Sequence, residues 1–229
     1  MKKIILMMIA MTISFASFAQ NKDVTTFLGI PVDGTASSMK QKLVSKGFVP
    51  KKVGTNEFLE GEFNGCNVNV WIGTNNNTNN NKVYRIMLCD KNTVDEAQIK
   101  IRFNNLVKQF ENNKRYHAFA DYSLSDKEDI SYEMGINNKE YVAYYLQDPD
   151  FENIDAQIQT AIEEKYSAEE LKNPSETVKN DIKDITNKIL GYHFMKRVWF
   201  RIDRYRYNGE YGIYMYYDNE YNRANGEDL

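Results

Sequence analysis

Residues 57–72 read EFLEGEFNGCNVNVWI, two runs of alternating character, Glu57–Phe63 and Cys66–Ile72, joined by Asn64-Gly65. Such a two-residue connection is the strongest local hairpin signal, because both central residues of its tight turn need positive φ, which Asn and Gly adopt at least cost. A third strand-like run, Lys82–Cys89, follows. The segment therefore predicts a three-stranded antiparallel meander. Gly73, Thr74 and an asparagine-rich stretch to Asn81 link the second and third strands. So polar a link suits a surface loop.

Helices are expected on both sides of this meander. Asp33-Gly34 marks a turn, Thr35 to Ser38 offer capping hydroxyls, and Met39, Leu43 and Val44 share one helical face before Gly47, which predicts a helix at about 37–46. Thr93-Val94-Asp95-Glu96 has capping-box spacing, and Ile99, Phe103, Leu106 and Phe110 recur at three and four residues, which predicts a helix at about 94–112. Residues 20–115 thus form one αβββα unit.

The second unit, 116–229, opens with Ile130–Ile136 and Lys139–Gln147 around Asn137-Asn138, a further hairpin pattern. Ile154, Ile158, Ala161 and Ile162 make one helical stripe, and Ser175 caps another carrying Val178, Ile182, Ile185 and Ile189. Ser167–Glu170 and Asn173-Pro174 separate them as a loop or short capped turn. A last hairpin, Arg197–Tyr207 and Glu210–Tyr217, turns at Asn208-Gly209. The fold class is α+β: an antiparallel meander and hairpins with helices packed on one face. Two units of similar hairpin-and-helix content pack as one globule, although the residues contain no clean repeat.

The N terminus carries an address. Met1-Lys2-Lys3, the apolar run Ile4 to Ile13 and Ser17-Phe18-Ala19 before Gln20 have the layout of a secretory signal peptide. The apolar run falls short of the roughly 20 residues that span a bilayer. Cleavage after Ala19 is expected, with no cysteine nearby to carry lipid, so the product belongs in the periplasm or the medium. Without residues 1–19 the chain has 27 basic against 32 acidic side chains, a net charge of −5 where the whole sequence carries −3. That balance argues against a phosphate-tracking surface. No later segment approaches 18 uninterrupted apolar residues. Neither nucleic acid nor membrane insertion is expected.

Chemistry is sparse. The two histidines, His117 and His193, sit among Tyr116, Phe119, Tyr192 and Phe194 and read as packed structural groups. HExxH, GxSxG, GxxxxGK and paired CxxC are all absent. No catalytic residue, metal ligand or cofactor is therefore expected. A hydrolase of cell-envelope material or polysaccharide is the alternative, since two carboxylates suffice for glycoside hydrolysis and leave no local signature. Scattered acids such as Glu163-Glu164 and Glu169-Glu170 read more simply as solvated helix faces.

Two features point to sites. Symmetric closure of the asparagine-rich loop would set Cys66 opposite Cys89 and Trp71 opposite Tyr84. The cysteines are then a disulfide candidate in an oxidising compartment, or else two buried free thiols. In the last hairpin, Tyr207 opposite Glu210 places Val198, Phe200, Ile202, Ile213, Met215 and Tyr217 on a core face. Trp199, Arg201, Tyr205, Tyr207, Tyr214 and Tyr216 then share the other face with Asp203. Rings mixed with arginine suit partner surfaces and sugar-stacking platforms. A helix or the chain's own tail covering this face is the other reading.

Phe27-Leu28-Gly29-Ile30-Pro31-Val32-Asp33-Gly34, the helix ending in Lys46-Gly47-Phe48, the Glu62-Phe63-Asn64-Gly65 turn and Lys82-Val83-Tyr84-Arg85-Ile86-Met87 resemble exported or periplasmic proteins of unknown function from Bacteroides-like bacteria. The resemblance covers mainly residues 27–147 and implies a location and an architecture, with no catalytic residues to carry over. The helix-then-meander order also looks like small domains of secreted inhibitors and outer-membrane assembly proteins, a likeness of topology alone. The expectation is a secreted or periplasmic non-enzymatic binding protein with a protein or glycan ligand.

Overall fold

A computed structural model describes residues 24–75, 81–149 and 153–223. The expected signal peptide and cleavage after Ala19 lie outside the described residues. A short ribbon, β1 (Thr26–Phe27) and β2 (Ile30–Pro31), precedes helix α1 (Ala36–Ser45). Thr35 caps α1 by accepting from the Ser38 amide, and Met39 and Leu43 are buried beneath it, much as their spacing predicts.

The meander is present and larger than predicted. Strands β4 (Asn56–Phe63), β5 (Cys66–Thr74) and β6 (Val83–Asp90) turn at Asn64 and Gly65, both at positive φ, 49° and 74°. Before them lies β3 (Val49–Val53), whose Val-Pro-Lys-Lys-Val sequence lacks apolar alternation because all five residues are exposed at a sheet edge. Counting back from its two-residue turn, Pro50 and Lys52 aim their backbones outward. Proline has no N–H to offer there, which blunts the edge against pairing with another chain.

Helix α2 (Glu96–Glu111) buries Ile99, Phe103, Leu106, Val107 and Phe110. Its cap is Asp95, not Thr93, so the capping-box reading is corrected: Asp95 Oδ1 accepts from the Gln98 amide, and the Thr93 hydroxyl donates to Glu210. Glu96 instead accepts from the amides of Ile130 and Ser131. That contact explains a second correction. Ile130–Ile136 is not a strand but a short helix, α3, because Glu96 takes its first amides and Asp129 caps it at Tyr132, with Ile130 fully buried below.

The remaining strands are β7 (Tyr116–Ala118), β8 (Val142–Gln147), β9 (Lys196–Arg204) and β10 (Tyr211–Asn219). The expected 130–147 hairpin is absent because β8 pairs with β7 and β9. Helices α4 (Ile154–Glu163), α5 (Ala168–Lys172) and α6 (Glu176–His193) fill the β8–β9 connection. Ser167 and Glu170 form a full capping box on α5, and α4 packs on α6.

The architecture is α+β, with one antiparallel eight-stranded sheet in the order β3-β4-β5-β6-β10-β9-β8-β7. Pairing of β6 with β10 joins strands from both sequence units. Helix α1 packs on β5, and α2 packs on β7 and β10. A single cluster fills the layer between, from Phe27, Met39 and Leu43 through Val70 and Ile86 to Phe103, Phe200 and Tyr217. No helix among the described residues is long and apolar enough to cross a membrane.

Candidate functional site on the open face of the sheet

The terminal hairpin pairs Tyr211 with Arg204 and Tyr216 with Trp199, two residues displaced from the sequence expectation. Strand side chains alternate with period two, so a shift of two keeps every residue on its expected face. Val198, Phe200 and Ile202 accordingly face the helices and are buried, while Trp199 and Arg201 point to the opposite side and are half-buried.

On that opposite side one transverse row crosses six strands. Phe58 packs on Trp71 with ring centroids 5.5 Å apart. Trp71 is paired with Met87, Met87 with Tyr216, Tyr216 with Trp199 and Trp199 with Tyr144. Tyr216 stacks on one face of Trp199 at 3.9 Å and Tyr144 on the other at 5.7 Å. The guanidinium of Arg85 lies over Tyr216 at 4.9 Å. Tyr144 is 43% exposed, whereas Tyr216, inside the stack, is only 7% exposed.

A polar row runs beside the rings. Asp218, 2% exposed, accepts from Arg85 Nε and Nη2 and from Trp199 Nε1, so it fixes the cation and the indole together. Burial works against the Arg85 charge, but its bonds to Asp218 outweigh this and its pKa is raised. Burial likewise raises Tyr205, Tyr214 and Tyr216, which stay neutral hydroxyls at ordinary pH.

The six predicted binding residues do not make one flat surface. Trp199, Arg201 and Tyr214 lie on the sheet, and Tyr216 is buried in the stack. Tyr205 lies just past β9, its ring over Gly212 and its hydroxyl 3.4 Å from that of Tyr214. Tyr207 stands at the hairpin tip, 80% exposed. Phe58, Trp71, Met87, Tyr144 and Arg85 belong to the same face and were missed, because the row exists only once β6 is known to pair with β10.

The cysteine pairing is corrected. Cys89 lies opposite Asn69 and Cys66 opposite Phe63, and Trp71 faces Met87 instead of Tyr84. Thr74 already pairs with Val83 where symmetric closure puts Asn81, and a register shift between Gly73 and Thr74 adds one more residue to the offset. Odd and even positions of β5 face opposite ways, so the two thiols lie on opposite sides of the sheet and both are free. Burial, and Asp90 next to it, push the Cys89 thiol up to about 11. His117 is also corrected: it is exposed on β7, its ring edge-on to Phe119. The side chain of His193 lies outside the described residues.

Acids for a hydrolase meet best in a cavity of about 280 Å³ lined by Asp121, Glu128 and Glu140. There Lys139 and Tyr141 hold Glu128 below the usual carboxylate range, and amide and hydroxyl bonds from Ser123 do the same for Asp121. A glycosidase needs one carboxyl kept protonated, and these two are pushed the other way. Glu163, Glu164, Glu169 and Glu170 are exposed on α4 and α5 or between them. Neither a family model, nor a curated protein, nor a solved structure matches this chain.

Proposed function

We propose that this is an exported, non-enzymatic binding protein that holds a protein ligand on the open face of its sheet. The observation that supports it is the aromatic row through Trp199 and Tyr144, on the face opposite α1 and α2. The core is already filled on the helix side, so this row is a second apolar layer outside it. A sugar platform needs free ring faces, yet both faces of Trp199 are taken by Tyr144 and Tyr216. What remains is ring edges, one outer tyrosine face and arginine, which suit a protein interface.

The mature protein, presented to envelope extract and to a glycan array, tests this reading. Tyr144→Ala and Trp71→Ala should each remove the captured protein, while Ile101→Ala, on an exposed part of α2, should leave it. Capture by the array alone would replace the protein with a glycan, and silence in both would defeat the proposal. Export has its own test. Intact mass from the native compartment should begin at Gln20; a species retaining Met1 or bearing lipid would overturn it.

A further inference from the structure

The hairpin that carries Trp199 ends in Arg204-Tyr205-Arg206-Tyr207-Asn208-Gly209. Among the eight arginines, Arg85, Arg102, Arg115, Arg197, Arg201 and Arg223 are each paired with a carboxylate. Arg204 and Arg206 are the two with neither an ion pair nor a hydrogen bond from the guanidinium among the described residues. The acids beside them are engaged elsewhere: Asp203 with Arg201, Glu210 with Thr93 and Asn208, Glu133 with Asn137.

Arg204 is nevertheless held in place. Its guanidinium lies over the Tyr211 ring at 5.8 Å and between two glycines: a Cβ at Gly135 would be 3.4 Å from Nη1, and one at Gly209 3.9 Å from Nη2. Neither neighbour has a side chain to cover it. The contact with Gly135 brings α3 to the tip, and with it Tyr132, 54% exposed, and Ile136, 65% exposed. Tyr207, 80% exposed, stands in the same tip three residues beyond Arg204. On a chain whose net charge is negative, two unpaired arginines among exposed apolar side chains are complementary to an acidic segment that also carries apolar or aromatic groups.

We propose that the β9–β10 tip is a second contact site, which takes an acidic, aromatic-bearing peptide segment of a protein partner. Arg204 and Arg206 would fork onto its carboxylates while Tyr207, Tyr132 and Ile136 take its apolar side chains. This rests on the partner being a protein, but it does not depend on the aromatic row.

The test is fluorescence anisotropy with a labelled random copolymer of glutamate and tyrosine, with polyglutamate and heparin in parallel. The copolymer should bind more tightly than either, and Arg204→Ala/Arg206→Ala together should weaken it by at least about tenfold. Tyr207→Ala should weaken it by roughly threefold, with the thermal midpoint of each variant within about 2 °C of the parent. Tyr144→Ala should leave copolymer binding unchanged. No binding, binding indifferent to the arginine pair, or equal tip-dependent binding of heparin would each overturn the proposal. If Tyr144→Ala abolishes capture from envelope extract while the arginine variant still holds the copolymer, the sheet-face reading survives and the tip does not.

Discussion

Asp218 grips Arg85 by both prongs of the guanidinium, Nε to Oδ1 at 2.5 Å and Nη2 to Oδ2 at 2.8 Å. The same carboxylate accepts Trp199 Nε1 at 2.8 Å. Removing it strands a half-buried cation and an indole N–H at once. Asp218→Ala should therefore cost about 3–5 kcal/mol by urea denaturation. Replacing both partners, as Asp218→Leu/Arg85→Met, should cost less than the single change. A loss under about 1 kcal/mol for Asp218→Ala would mean the fork does not hold the face together.

Two tyrosines of opposite exposure, Tyr216 at 7% and Tyr207 at 80%, should separate stability from binding. Tyr216→Ala empties the stack between Arg85 and Trp199 and should cost roughly 3–5 kcal/mol. Tyr207→Ala should change stability by less than about 0.5 kcal/mol. Denaturation midpoints of the two variants decide this, and equal losses would show that the tip is part of the packed structure.

A glycine carries the third prediction. A Cβ on Gly61 would stand 2.4 Å from Phe48 Cδ1, inside a ring that is itself buried in the core. Gly61→Ala should destabilise by about 1–3 kcal/mol, because the ring must leave its place. Adding Phe48→Leu should recover part of the loss, and a neutral Gly61→Ala would contradict this packing.

The thiols give a fourth. Two free cysteines should titrate in the denatured protein without reductant, and Cys89 should resist alkylation in the native state. With its thiol pushed up to about 11, only about one molecule in a thousand carries the thiolate at pH 8. A disulfide in the purified protein, or rapid native labelling of Cys89, would contradict the register of β5 and β6.

These particulars show which information was local. Asn64-Gly65 demands positive φ wherever it lies, and the α2 stripe needs only its own periodicity, so both were legible. The faces of β9 and β10 survived a register error because parity, not register, assigns them. Register itself was hidden: Thr74 pairs with Val83 where symmetric closure puts Asn81, the further one-residue shift at Gly73/Thr74 has no residue signature, and together they set Cys89 opposite Asn69. Ile130–Ile136 looks like a strand by composition, but the helix is set by Glu96, more than 30 residues away. The aromatic row draws on β4, β5, β6, β8, β9 and β10, so it appears only when the two ends of the chain are laid side by side.

Tyr145 supports the last prediction. It is 1% exposed, its ring 4.7 Å from that of Phe110 and stacked on that of Phe200 at 5.9 Å, yet its hydroxyl has no hydrogen-bond partner among the described residues. An unpaired buried hydroxyl costs about 1–3 kcal/mol, so Tyr145→Phe, which keeps the ring, should stabilise the protein by about 1 kcal/mol at pH 7. Burial raises the Tyr145 pKa in the folded state. For such a group the neutral form's advantage is complete below the unfolded value near 10 and is lost as pH rises above it, because only the unfolded chain then ionises readily. The gain from Tyr145→Phe should consequently widen above about pH 10. Urea midpoints at pH 7, 9 and 10.5 test both parts together. Destabilisation at pH 7 would mean that the hydroxyl has a partner after all, and a gap that stays constant with pH would mean that the group ionises equally in both states.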